Sequence, residues 1–145
     1  MKKVLKRGLI AMAMTFSLTC TGFALASVNN SGNDLKIDYE YVKGNCYTSI
    51  VKGNKTQSNK TLSVLVTNML EDDGTSSDYM YSWWQVVNTT DGVTINSGTK
   101  VLKGTSCQIP LSRRTGTNKK LSVSVKGNTN NLDTILSATI FDFNK

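Results

Sequence analysis

Side chains able to do chemistry are scarce in this chain, and their scarcity narrows the functional classes. There is no histidine among the 145 residues, so neither a Ser-His-Asp triad nor a Cys-His pair can be assembled, and the inventory for a zinc centre is lacking. Two carboxylates are enough for glycoside hydrolysis, but Glu40 and Glu71 are the only glutamates and the aspartates fall mostly in turn-like segments. Catalysis is the least favoured class, and no cofactor or metal is expected. The acidic run "EDDGTSSD", residues 71–78, holds oxygens of the kind calcium takes. Its spacing does not match an EF-hand loop, and a solvated connection between strands is the simpler reading.

Two clusters remain that could bind rather than react. In "YMYSWWQVVN", residues 79–88, strand alternation puts Tyr79, Tyr81, Trp83, Gln85 and Val87 on one face and Met80, Ser82, Trp84 and Val86 on the other. The second set has the makeup of a core face. Tyr79, Tyr81 and Trp83 then form an aromatic row that is either a platform for sugar rings or a partner protein, or cross-strand packing that stabilises the domain itself. The second cluster, in "SRRTGTNKK", gathers Arg113, Arg114, Lys119 and Lys120. It is either a solvated loop or an electrostatic contact for an anionic surface.

The elements that must position these residues begin after the N-terminus. "MKKVLKR" followed by an apolar run and Ala24-Leu25-Ala26 has the layout of a secretory signal peptide. Cleavage after Ala26 is expected, giving a leader of residues 1–26 and one secreted domain of residues 27–145. A retained membrane anchor fits less well because the apolar run is short, and Thr19 before Cys20 makes a poor lipid-attachment box. No integral membrane segment is expected after cleavage. Four of the 17 basic residues and none of the 10 acidic ones leave with the leader, so 13 remain against 10 and the charge falls from +7 to +3. No Lys/Arg stripe with interleaved aromatics is expected to remain, and nucleic acid is not an expected partner. Cys46 and Cys107 are left, and in an exported chain they most simply form a disulfide. Closing a loop of about 60 residues would contribute about 4 kcal/mol by chain-entropy reasoning. Two buried thiols are the alternative.

The remaining chain is rich in Thr, Ser, Asn, Val and Gly and shows no sustained helical period. Strand candidates are "LKIDYEYV", with Leu35, Ile37, Tyr39 and Tyr41 on one face, then "CYTSIV", "TLSVLVT", the Trp-Trp segment, "VTIN", "TKVLKG", "SCQIP", "KLSVSVK" and "LDTILSATIFDFN". Seven to nine short strands imply an all-β fold, an antiparallel sandwich or a partly open barrel. Val-Lys-Gly-Asn occurs at residues 42–45, 51–54 and 125–128, read as strand ends where Gly-Asn supplies a positive φ. "TTDG" should turn a hairpin after the Trp strand. Pro110, the single proline, belongs at a strand end or sheet edge.

Gly44-Asn45-Cys46-Tyr47-Thr48 after the first strand, Ser82-Trp83-Trp84 mid-chain and the Asn-rich turn 128–131 resemble the small secreted bacterial proteins grouped as domain of unknown function 2712. The resemblance covers most of the chain after the leader. More loosely, size, export and strand pattern are similar to lactococcin-972-like bacteriocins, secreted β-sandwiches that act on the envelope of competing cells. The resemblance assigns no catalytic residue. The family has no established activity, so the leading expectation draws on the residue inventory, the aromatic row and the basic cluster as well: a secreted, non-enzymatic β-sandwich that binds at the bacterial cell envelope, to a wall polymer, an anionic lipid or a surface protein, in a bacteriocin-like role. The alternative is a structural or adhesive surface module acting through exposed strand edges.

Overall fold

The computed structural model describes residues 33–74, 80–128 and 132–145; the expected leader and its cleavage point lie outside them. Alternating apolar and polar residues, dense in Val, Ile and Thr, make strands wherever the chain has no turn residues. Among the described residues there are nine: β1 (Leu35–Val42), β2 (Thr48–Lys55), β3 (Asn59–Glu71), β4 (Tyr81–Asn88), β5 (Val93–Leu102), β6 (Ser106–Thr115), β7 (Lys120–Lys126), β8 (Thr134–Ile140) and β9 (Phe143–Asn144). All pairings are antiparallel, in a four-stranded sheet ordered β1-β8-β3-β6 and a five-stranded sheet ordered β5-β4-β7-β2-β9. The expected all-β sandwich is therefore the fold, and the sheets do not close into a barrel.

The core lies between the sheets. From β3 it takes Leu62, Val64 and Val66, from β4 Trp84 and Val86, and from β7 Leu121, Val123 and Val125, all fully buried. On β3 a register shift between Val66 and Asn68 moves the inward phase to Met69 and Glu71, as a bulge must when side chains alternate with period two. The same device overturns the face expected for β1. A shift between Ile37 and Glu40, with Tyr39 at φ 56°, turns the strand so that Val42 joins Ile37 in the core. Tyr39 and Tyr41 are left 72% and 47% exposed.

The turns carry corrections as well. The β4–β5 hairpin forms at the expected place, with Gly92 at φ 66° and Asn88 Oδ1 accepting from the N–H groups of Thr90 and Asp91 at 3.1 and 3.2 Å. None of the Val-Lys-Gly-Asn glycines has a positive φ, and the second copy lies inside β2. Close approach explains two of them. A Cβ on Gly53 would collide with the Asn144 carbonyl oxygen, and one on Gly127 with Thr134 Oγ1. The first and third copies meet, the Gly127 N–H donating to Lys43 O at 3.0 Å. Pro110 sits within β6, on a sheet edge where its missing N–H costs nothing.

The expected Cys46–Cys107 disulfide is not formed. Cys46 is a free, exposed thiol in the β1–β2 connection, whereas Cys107 is 3% exposed, in the core. Cys46 lies in the connection that leaves β1, and β1 and β6 are opposite, non-adjacent edges of the four-stranded sheet. A disulfide needs its Cα atoms within about 7 Å.

Candidate functional site

The aromatic segment separates into two faces in the way its alternation predicts. Met80, Ser82, Trp84 and Val86 are buried, and Trp84 Nε1 donates to Ser82 Oγ at 2.8 Å. Ser82 is thus more than a small filler, since it satisfies the only polar atom of a fully buried indole. Tyr81, Trp83, Gln85 and Val87 are half-buried on the outward face. Tyr79 lies outside the described residues.

Strand pairing then adds partners that are distant in sequence. Trp83 is opposite Lys100 of β5 on one side and Lys126 of β7 on the other. Directly opposite residues of antiparallel strands share a face, so the indole lies between two lysines whose Cα atoms are about 10 Å apart, two strand spacings. Tyr81 meets Trp83 edge-on, with centroids 6.1 Å apart and an interplanar angle of 85°. Lys100 Nζ is 3.9 Å from the Tyr81 centroid, and Lys126 Nζ is 5.4 Å from that of Tyr47. Both are cation–π contacts. Tyr47 donates from its hydroxyl to Ser97 O at 3.4 Å, and burial pushes its pKa up. It crosses where Gly98 leaves room, since a Cβ there would lie 2.8 Å from the Tyr47 hydroxyl and 4.0 Å from Trp83 Cε3. Beyond this row Gln85 is opposite Ser124, and Ser49 Oγ and Ser122 Oγ are hydrogen-bonded at 2.9 Å.

Charge is segregated between the sheets. The five strands of the larger sheet contain Lys52, Lys55, Lys100, Lys120 and Lys126 and no Asp or Glu. Lys55 is buried and the other four are at least partly exposed. Neither Lys100 nor Lys126 has a carboxylate partner among the described residues. The result is a cationic face bearing hydroxyls and aromatic rings. No family model, curated protein or solved structure matches the chain. The functional reading therefore rests on the chemistry of this face.

The second expected cluster does not gather beside the aromatic row. Arg113 and Arg114 lie on β6, Lys119 in the turn before β7, and Lys120 at the start of β7. Lys119 forms a 2.7 Å salt bridge with Asp91 and its hydrogen bond holds that carboxyl below its usual range; Arg114 Nη1 donates to Ser58 O at 3.2 Å. Two of the four cations are thus occupied by the protein itself. Along β7, Lys120 is six residues from Lys126, about 20 Å.

Sequence reasoning missed Tyr47, Lys100 and Lys126. The alternation of β7, with Leu121, Val123 and Val125 inward, does mark Lys126 as outward, but placing it beside Trp83 requires the pairing register. A stripe of lysines and aromatics absent from the linear sequence is assembled across strands. Glu71, from the acidic run, is 7% exposed and accepts from Thr134 Oγ1 at 3.4 Å, with burial raising its pKa. Residues 75–78 of that run lie outside the described residues.

A further polar cluster fastens β1 to β8. Asp133 accepts from the Tyr41 hydroxyl at 2.6 Å, Lys43 Nζ at 2.9 Å and Gly44 N–H at 3.1 Å. These donors, the Tyr41 hydroxyl first, hold its carboxyl at about 2.

Proposed function

We propose that this is a secreted, non-enzymatic protein that binds anionic polymer of the bacterial cell envelope with the outward face of its five-stranded sheet. One observation carries the reading: Trp83 lies between Lys100 and Lys126 on a sheet whose strands contain no acidic residue. An indole face and neighbouring tyrosines take the apolar side of a sugar ring, while the lysines attract phosphate or carboxylate groups beside it. The resemblance to the domain of unknown function 2712 proteins, and more loosely to lactococcin-972-like bacteriocins, supports an envelope target and a bacteriocin-like role.

The test is sedimentation of the purified protein with isolated cell walls at low salt. Walls stripped of phosphate-bearing polymer, anionic vesicles and a single-stranded oligonucleotide are run in parallel, because aromatics with lysines also suit single-stranded nucleic acid. Co-sedimentation with intact walls, reduced by stripping and by salt, is expected. Absence of wall binding, or tighter binding to the oligonucleotide or the vesicles, would sink the proposal.

A second reading, an adhesive module, draws on the edge of β2. β9 pairs only with Asn54 and Lys55, so Thr48–Gly53 has no strand on that side among the described residues. An open edge can accept a strand from another chain. Concentration-dependent self-association without wall binding would favour it.

A further inference from the structure

At the end of the sandwich away from the aromatic row, β2 closes on a lysine that the strand's alternation turns inward. Val51, Gly53 and Lys55 share the buried face, and Lys55 is only 2% exposed, among the largest fully buried side chains in the molecule. A buried ammonium normally requires a carboxylate partner. Here Nζ donates instead to Asn59, to its backbone oxygen at 3.3 Å and to Oδ1 of its side chain. Burial lowers the Lys55 pKa to about 8, with Asp142 acting in the opposite sense, so neutral amine is accessible near physiological pH.

The carboxamide is held as an electrophile would be. Oδ1 of Asn59 also accepts the Thr61 N–H at 3.1 Å, a fixed backbone donor aimed at the oxygen on which charge would develop if the carbonyl carbon were attacked. Thr115, opposite Asn59 in the β3–β6 pairing, is 1% exposed, and Asn59 itself is half-buried. The Thr115 Oγ1 and that of Thr56 are buried without a hydrogen-bond partner among the described residues.

We propose that Lys55 and Asn59 are a self-modifying pair that forms an intramolecular isopeptide bond. Neutral Nζ attacks Cγ of Asn59, the oxyanion on Oδ1 is stabilised by the Thr61 N–H, and the bond from Cγ to Nδ2 breaks. The Nζ proton passes to the departing nitrogen, which leaves as ammonia. One amine and one primary amide become one secondary amide plus ammonia, and no oxidant or cofactor is needed. Residues 56–58 cross from the five-stranded to the four-stranded sheet, so the bond would close that crossover covalently. This inference stands apart from the envelope-binding proposal.

The experiment is peptide mass mapping of the purified full protein, denatured and treated with an amine-methylating reagent. The expected result is a peptide containing residues 55–59 that is lighter by one ammonia, unmethylated at Lys55 and not cut after it by trypsin. A peptide of full mass with a methylated Lys55 would overturn the proposal. So would loss of ammonia with Lys55 still methylated, which would mark a succinimide at Asn59. In Lys55→Arg the ammonia should be retained, and its loss there would also count against the bond. If that variant fails to fold, the mapping of the unaltered chain decides alone.

Discussion

The two sheets of this sandwich use charge in opposite ways. The four-stranded sheet carries both signs, with Asp38, Glu40 and Glu71 among Lys36, Lys60, Arg113 and Arg114. Acids at its margins serve the fold: Glu71 is buried against Thr134, and Asp133, just before β8, ties the β1–β2 connection in place. The strands of the five-stranded sheet have lysines and no acids, and among the described residues its outward aromatics are met by cations. Internal pairing consumes charge that could otherwise meet a ligand, so the sheet without acids is the one left able to attract an anion.

The adjacent tryptophans give the sharpest test of that division. Trp84→Ala should remove about 3–5 kcal/mol of stability, the usual cost of deleting a large buried aromatic, and leave Ser82 without its donor. A denaturant titration would read the loss directly. Trp83→Ala should cost about 1 kcal/mol of stability at most, since it loses mainly its edge contact with Tyr81, while wall binding falls about tenfold. Equal destabilisation by both substitutions would mean that the outward face is packing, and the comparison between the sheets would lose its functional meaning.

The division was partly legible in the sequence. Period-two alternation assigned Trp84 to the core and Trp83 to the opposite face, and β1 and β7 begin and end where their residue patterns suggested. What alternation could not supply was phase after a bulge, as Tyr39 and Tyr41 illustrate, or the register that brings Lys100 and Lys126 to Trp83. The disulfide expectation failed for a related reason, because two cysteines in one exported chain do not say that one falls in an exposed connection and the other on the buried face of β6. The basic cluster was conspicuous only because its residues are neighbours in sequence. Folding pairs Lys119 with Asp91 and leaves Lys120 far from the aromatic row.

Cations should therefore differ in value according to their sheet position. Lys100→Gln combined with Lys126→Gln should weaken wall binding about fivefold at low ionic strength and flatten its salt dependence, since attraction to exposed charge is screened over about 8 Å at physiological salt. Lys119→Gln should change binding less than twofold, because its ammonium already faces Asp91. A larger effect from Lys119 would move the binding surface to the opposite end of the sandwich.

The smallest effect concerns the acid that the four-stranded sheet uses for itself. The Asp133 carboxyl is held at about 2, against an ordinary value of 3.8, so the folded state favours its charged form. Its contribution is fully present above the ordinary value and is lost as pH falls through that window toward 2. Asp133→Asn should lower the unfolding midpoint at neutral pH slightly and remove one component of its decline between about pH 4 and pH 2. Wall binding at neutral pH should be unchanged, because Asp133 belongs to the β1–β8 fastening and lies on none of the strands that present Trp83. If binding fell together with the midpoint, the two sheets would be coupled, and the face could no longer be treated as independent of the fold beneath it.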